Sequence, residues 1–107
     1  MGRGGLNPNQ MLKQLQKVQR QMQETQERLA EEVVEGTAGG GAVVAKVKGD
    51  ATVESITIDP DALDDAEMLG DLVTAAVNEG LRNARELAAE RLGSLTQGMG
   101  LPPGMGL

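Results

Sequence analysis

The sequence predicts a small α+β protein in the order α-β-β-β-α, with a three-stranded antiparallel sheet between a long N-terminal helix and a second helix. Three observations carry that prediction. A 3.5-residue apolar repeat runs through residues 11–29. Three short β-like runs follow between glycine-bearing turns, and a broad apolar stripe then recurs at helical spacing from Met68 to Leu95. At 107 residues the chain reads as one domain, residues 1–97, followed by a tail at 98–107.

The first helix is expected over 8–32. Asn7 before Pro8 is a start signal: the Asn side chain accepts from free first-turn amides, and proline at the first helical position lacks an N–H that would have no partner. Met11, Leu15, Val18, Met22, Thr25 and Leu29 then step by 4, 3, 4, 3 and 4 residues, the spacing of a coiled-coil seam. So narrow a seam suits another helix better than a sheet. A helix of roughly 35 Å needs such a partner.

The sheet is expected as a meander over 33–59, from the runs EEVVEG (31–36), AVVAKVKG (42–49) and TVESITID (52–59). Val43, Ala45 and Val47 alternate with Val44, Lys46 and Lys48, and Ile56 and Ile58 alternate with Ser55 and Thr57. The short connections permit hairpins but no parallel crossover. GTAGGG at 36–41 reads as one of the turns. It lacks the Gly-Lys-Ser/Thr ending of a phosphate loop, and a strand follows it rather than a helix.

Asp59-Pro60 ends the sheet, and Asp64 with Glu67 resembles a capping box opening the second helix, 64–97. The stripe that follows, which includes Leu69, Leu72, Val73, Ala76, Val77, Leu81 and Ala84, is wide enough to lie on a sheet. Gly80 interrupts it at a cost of about 1 kcal/mol relative to Ala, which predicts a close backbone approach at that point. The tail, built from Gly, Met, Leu and Pro, is not expected to form a regular element.

Composition narrows the function. The chain has no Cys, His, Phe, Trp or Tyr. Disulfides, thiolate metal sites and imidazole bases are therefore excluded, and Ser55 and Ser94 have no base to activate them. The acids Asp59, Asp61, Asp64, Asp65 and Glu67 miss the calcium-loop pattern, with no acid at its fifth position and no glycine at its sixth. They read as helix-start residues. No enzyme activity, metal, cofactor or small-molecule substrate is expected. A core without aromatics gains less area per residue, so extra burial is expected from a second copy of the chain. With neither a signal-peptide run at the start nor a stretch of about 18 apolar residues, a cytoplasmic protein without membrane contact is expected.

Charge is the most informative feature. The net charge is −6, yet the first acid is Glu24. Residues 1–23 carry Arg3, Lys13, Lys17 and Arg20, a charge of +4, which leaves −10 for the remainder. At about 100° per residue, Lys13, Lys17 and Arg20 fall within about 60° of one another, roughly opposite the seam. A merely solvated face would mix signs and pair Glu with Lys four residues apart. Such pairs begin only at Glu24–Arg28 and Arg28–Glu32. The stripe therefore points to a polyanion. With no aromatic to stack a base, that polyanion is expected to be a duplex held by its backbone. Arg82, Arg85 and Arg91 sit among Glu79, Glu86 and Glu90 and read as surface pairs.

The opening GRGGL, the run MLKQLQKVQRQMQETQERL, the passage ITIDPDAL, the segment EMLGDLVTAAVNEGLRNA and the closing GMGLPP together resemble the YbaB/EbfC family of bacterial nucleoid-associated proteins. The resemblance implies a tight homodimer whose N-terminal helices project like the arms of tweezers. It also implies residence in the nucleoid and binding of double-stranded DNA with limited sequence preference, by bridging, coating or compacting it. Carried onto this chain, it implies that Lys13, Lys17 and Arg20 contact DNA, with Arg3 beside them. The third strand has Glu54 and no Arg, so little is expected from the sheet, although Lys46 and Lys48 remain on the second strand. The rival is a coiled-coil interaction module without direct DNA binding, whose seam and tail engage a recombination or repair factor or a chaperone.

Overall fold

The structure, a computed structural model, describes residues 7–98. Helix α1 (Pro8–Leu29) leads into strands β1 (Val33–Ala38), β2 (Val43–Lys48) and β3 (Val53–Ile58). A 3-10 helix, Pro60–Asp64, then precedes helix α2 (Ala66–Gly98). The strands pair antiparallel in the order β1-β2-β3, which is the expected α+β meander.

Alternation along β2 sends Val43, Ala45 and Val47 to one face, where all three are fully buried. Helix α2 lies over that face, chiefly on β1 and β2, with Ala76 fully buried and Leu69, Leu72, Val73 and Val77 packed around it. Small residues allow the helix to come close. A Cβ added at Gly80 would lie 2.6 Å from Val47 Cγ2, and one at Gly36 would overlap the Ala76 carbonyl oxygen and the Gly80 amide nitrogen. The interruption at Gly80 is therefore a backbone crossing against Gly36. Asn83 Nδ2 also donates to the Glu35 carbonyl at 2.9 Å, so α2 satisfies a backbone acceptor on edge strand β1.

Strand β3 departs from simple alternation. Lys46 pairs with Ser55 but Val47 pairs with Val53, so a bulge leaves Glu54 as the extra residue. Strict alternation would have set Glu54 opposite Val47; the bulge puts Val53 there instead. Val53 and Ile56 thus share the face of Val47 and Ala45, yet each is 40% exposed, because α2 barely reaches β3.

Two expected boundaries shift. α1 ends at Leu29 rather than at 32, whereas β1 begins at Val33, where the meander was expected to start. The Glu31 and Glu32 amides turn back onto the Arg28 and Leu29 carbonyls at 3.0 and 3.2 Å, while the Glu32 carbonyl accepts from Gly49 N at 2.8 Å and draws the chain into the sheet. The second shift is the start of α2. Asp64 is the last residue of the 3-10 helix, and Asp65 caps α2 by accepting from Met68 N at 3.1 Å. Pro60 explains the displacement: with Asp59 Oδ1 accepting from Asp61 N at 3.0 Å, it starts a separate turn that buries Ala62.

The molecule is elongated, measuring 76 × 22 × 16 Å with a radius of gyration of 20.4 Å. A compact chain of this length has a radius of gyration near 13 Å. Among the described residues, only Val43 and Val47 bury a side chain larger than Ala completely.

Candidate nucleic-acid interface

The candidate site is the free length of α1. Its start follows from Asn7, whose Oδ1 accepts from Gln10 N at 2.7 Å, with Pro8 in the first turn. That turn holds no acidic residue, so the positive end of the helix dipole adds to the basic side chains beyond it. Lys13, Lys17 and Arg20 are all exposed on one regular helix. They form a single face about 10 Å long. Among the described residues, the ion pairs join Arg91 to Glu32 and, at 4.0 Å, to Glu90, so none of these three cations is neutralised by a carboxylate. Arg3 lies outside the described residues.

The opposite face carries the seam. Met11, Leu15 and Met22 are 52%, 59% and 46% exposed, and only Leu29 at its root is buried. Among the described residues, the helix partner that the seam predicts is supplied only near that root, where Thr25 and Arg28 face Ser94 and Leu95 of α2 across an open cleft.

The root is held by contacts that local sequence did not reveal. Arg91 does not act mainly as a surface partner of its neighbouring glutamates. Its Nη2 lies 2.7 Å from Glu32 Oε1 and its Nε donates to Oε2 at 3.3 Å, a two-pronged bond joining α2 to the α1–β1 connection. The Arg91 guanidinium holds the Glu32 carboxyl below the usual carboxylate range, against a smaller opposing effect of desolvation. The same bond raises the pKa of Arg91. Gly49 completes the root, since a Cβ there would stand 2.5 Å from the Leu29 carbonyl oxygen. The direction of α1 is therefore set by a buried leucine, a glycine contact and one exposed ion pair.

The sheet offers much less to an anion. Register places Lys46 opposite Glu35 and Ser55, and Lys48 opposite Val33. The basic residues of β2 thus face a carboxylate-bearing strand on one side, and β3 adds Glu54 but no cation. Among the described residues, no helix is long and apolar enough to cross a membrane.

Comparison with known proteins agrees with this architecture. A nucleoid-associated protein of Alkaliphilus metalliredigens is 49% identical over 104 residues, covering 94% of this chain and 91% of that protein. One of Chloroflexus aggregans is 49% identical over 96 residues, covering 88% of this chain and 96% of its own. The crystal structure of the uncharacterized protein HP0035 from Helicobacter pylori superimposes with a TM-score of 0.72 over 83% of this chain and all of that one, at 22% identity, which shows a shared fold. The YbaB/EbfC DNA-binding family matches residues 3–99, nearly the whole chain from the basic arm to the end of α2, and the chain belongs to that family.

Proposed function

We propose that the protein is a non-enzymatic nucleoid-associated protein that binds duplex DNA as a homodimer. Its two α1 arms grip phosphates through Lys13, Lys17 and Arg20, with Arg3 beside them. The observation that carries this reading is the exposed basic face of α1, which no carboxylate neutralises among the described residues. Phosphate contacts carry no base information, so sequence preference is limited and the outcome is bridging, coating or compaction of DNA. The acidic remainder of the chain repels DNA and restricts contact to the arms. The family description and the relatives' names support the same reading.

The dimer is supported by what the protomer leaves uncovered. Val53 and Ile56 expose apolar surface on the inner face of β3, next to an unpaired sheet edge. A second copy seated there buries that surface and enlarges a core that is otherwise mostly valine and alanine. Two arms bring six cations together, or eight with Arg3.

A seam-driven protein contact is the second reading, favoured by the exposure of Met11, Leu15 and Met22. It would tolerate salt and fail when Leu15 is made polar. The test is fluorescence anisotropy on a labelled duplex of about 30 bp at low salt. It compares the native protein with the Lys13→Gln, Lys17→Gln, Arg20→Gln triple, while light scattering confirms an unchanged assembly. The triple is expected to lose most of its affinity. Equal binding by both proteins would overturn the assignment of the arm.

A further inference from the structure

We infer that Glu24 and Glu27 are an electrostatic stop on the arm, fixing how far toward its root a duplex can seat, an inference that rests on the phosphate grip proposed for Lys13, Lys17 and Arg20. Followed toward the root, the basic row does not fade into neutral residues. Lys13, Lys17, Arg20, Glu24 and Glu27 step by 4, 3, 4 and 3 residues, a second 3.5-residue row on the side of α1 away from the seam. At about 100° per residue the five span about 80° of the helix wheel, so the two acids continue the line of the three cations. All five are exposed. The sign changes once, between Arg20 and Glu24. A solvated face would interleave the signs, whereas this row segregates them.

Neither acid is taken up by a neighbour. Arg20 stands four residues before Glu24, the weaker order for an ion pair on a helix, and no such pair forms. Among the described residues, every ion pair involves Arg91. Arg28, four residues after Glu24, lines the cleft against α2. Glu24 and Glu27 therefore present unpaired carboxylates to whatever approaches the row. Glu24 follows Arg20 by about 6 Å of helix rise, inside the screening length of about 8 Å at physiological salt. A phosphate held at Arg20 already lies at the edge of their field, and one placed nearer the root meets repulsion. The cations span about 10 Å from Lys13 to Arg20, and about 14 Å more separate Arg20 from Leu29. The duplex is thus kept on the outer part of the arm, clear of the Glu32–Arg91 bond at the root.

The chain has no native cysteine, so single thiols report where the duplex lies. Gln16 and Gln23 are both exposed, flank the same side of the row and stand one heptad apart, about 10 Å along the helix. In the full chain, alkylation of Gln16→Cys and of Gln23→Cys by a neutral reagent is timed with and without a saturating duplex of about 30 bp. The duplex should slow alkylation severalfold at position 16 and leave it nearly unchanged at position 23. Adding Glu24→Gln with Glu27→Gln should extend protection to position 23 and tighten binding about tenfold at low salt. Asp71→Asn with Glu86→Gln, an equal change of charge at exposed positions of α2, should do neither. The same gains from that α2 pair would trace them to net charge and overturn the stop. Protection at position 23 with both acids in place, or none there once both are neutral, would also overturn it while leaving the arm as the grip. No protection at position 16 either would overturn the arm reading, and the stop with it.

Discussion

Gly36→Ala is the substitution whose cost the structure sets most sharply. A methyl group at Gly36 would meet only backbone: the Ala76 carbonyl oxygen and the Gly80 amide nitrogen. No rotamer change relieves such an overlap, so β1 and α2 must separate. That separation also loosens the packing of Val43, Ala45 and Ala76. Overpacking ordinarily costs 1–3 kcal/mol, and a backbone-on-backbone clash belongs at the upper end, about 3 kcal/mol or more. Gly80→Ala should cost less. Its methyl group approaches Val47 Cγ2 at 2.6 Å, a buried side chain with little rotamer freedom. About 1 kcal/mol of recovered helix propensity offsets part of that strain, leaving a net loss of about 1–2 kcal/mol. Gly70 is the control, because a Cβ there meets nothing within 4 Å, and Gly70→Ala should gain about 1 kcal/mol. Urea unfolding at one fixed protein concentration, with light scattering to hold the assembly constant, gives the three values. A cost for Gly36→Ala below about 1 kcal/mol, or no greater than that of Gly80→Ala, would refute the backbone clash between β1 and α2.

Other outcomes follow from single features. Ala51 holds a positive φ of 67° in the β2–β3 turn, so Ala51→Gly should raise stability by about 0.5–1 kcal/mol in the same unfolding assay. If the chain dimerises through β3 as proposed, the native protein should scatter as a dimer and Ile56→Asp as a monomer with its far-ultraviolet circular dichroism retained; a dimer that persists in the variant would remove β3's inner face as the interface. The Glu32–Arg91 bond gives a signed pH dependence. Because Glu32 titrates below its ordinary range when folded, the advantage of the native chain over Arg91→Gln is complete above about pH 5. The advantage disappears as pH falls through the lowered pKa of Glu32. Urea midpoints of both proteins from pH 7 down to pH 3 read it out, and a gap that widens on acidification would contradict the assignment.

What was legible in the sequence was local. Asn7-Pro8 marks the start of α1, the 4-3-4-3-4 steps mark its seam, and the wheel sets Lys13, Lys17 and Arg20 on one face; each needs only neighbouring residues and helix geometry. The triple glycine at 39–41, all with positive φ, announced the β1–β2 turn. Gly80 was readable as a close approach because a glycine inside a good helix needs a reason, although its partner Gly36 was not. What escaped depended on distant residues. Arg91 has two nearby glutamates, and only the folded chain sets Glu32, 59 residues away, in better geometry. The bulge at Glu54 follows from keeping a carboxylate off the face of Val47, a cost that appears only once β2 is in place. The cap moved from Asp64 to Asp65 because the turn begun at Pro60 consumes Asp64.

If the arms bind DNA through its phosphates, as proposed, binding by the native protein must weaken steeply as salt rises. With six to eight cations on a dimer, the logarithm of the binding constant should fall against the logarithm of salt concentration with a slope of about −5 to −7. The Lys13→Gln, Lys17→Gln, Arg20→Gln triple should flatten that slope to near −2 or less. A native slope already that shallow, or an equally steep slope in the triple, would contradict the account and place the contact elsewhere on the molecule.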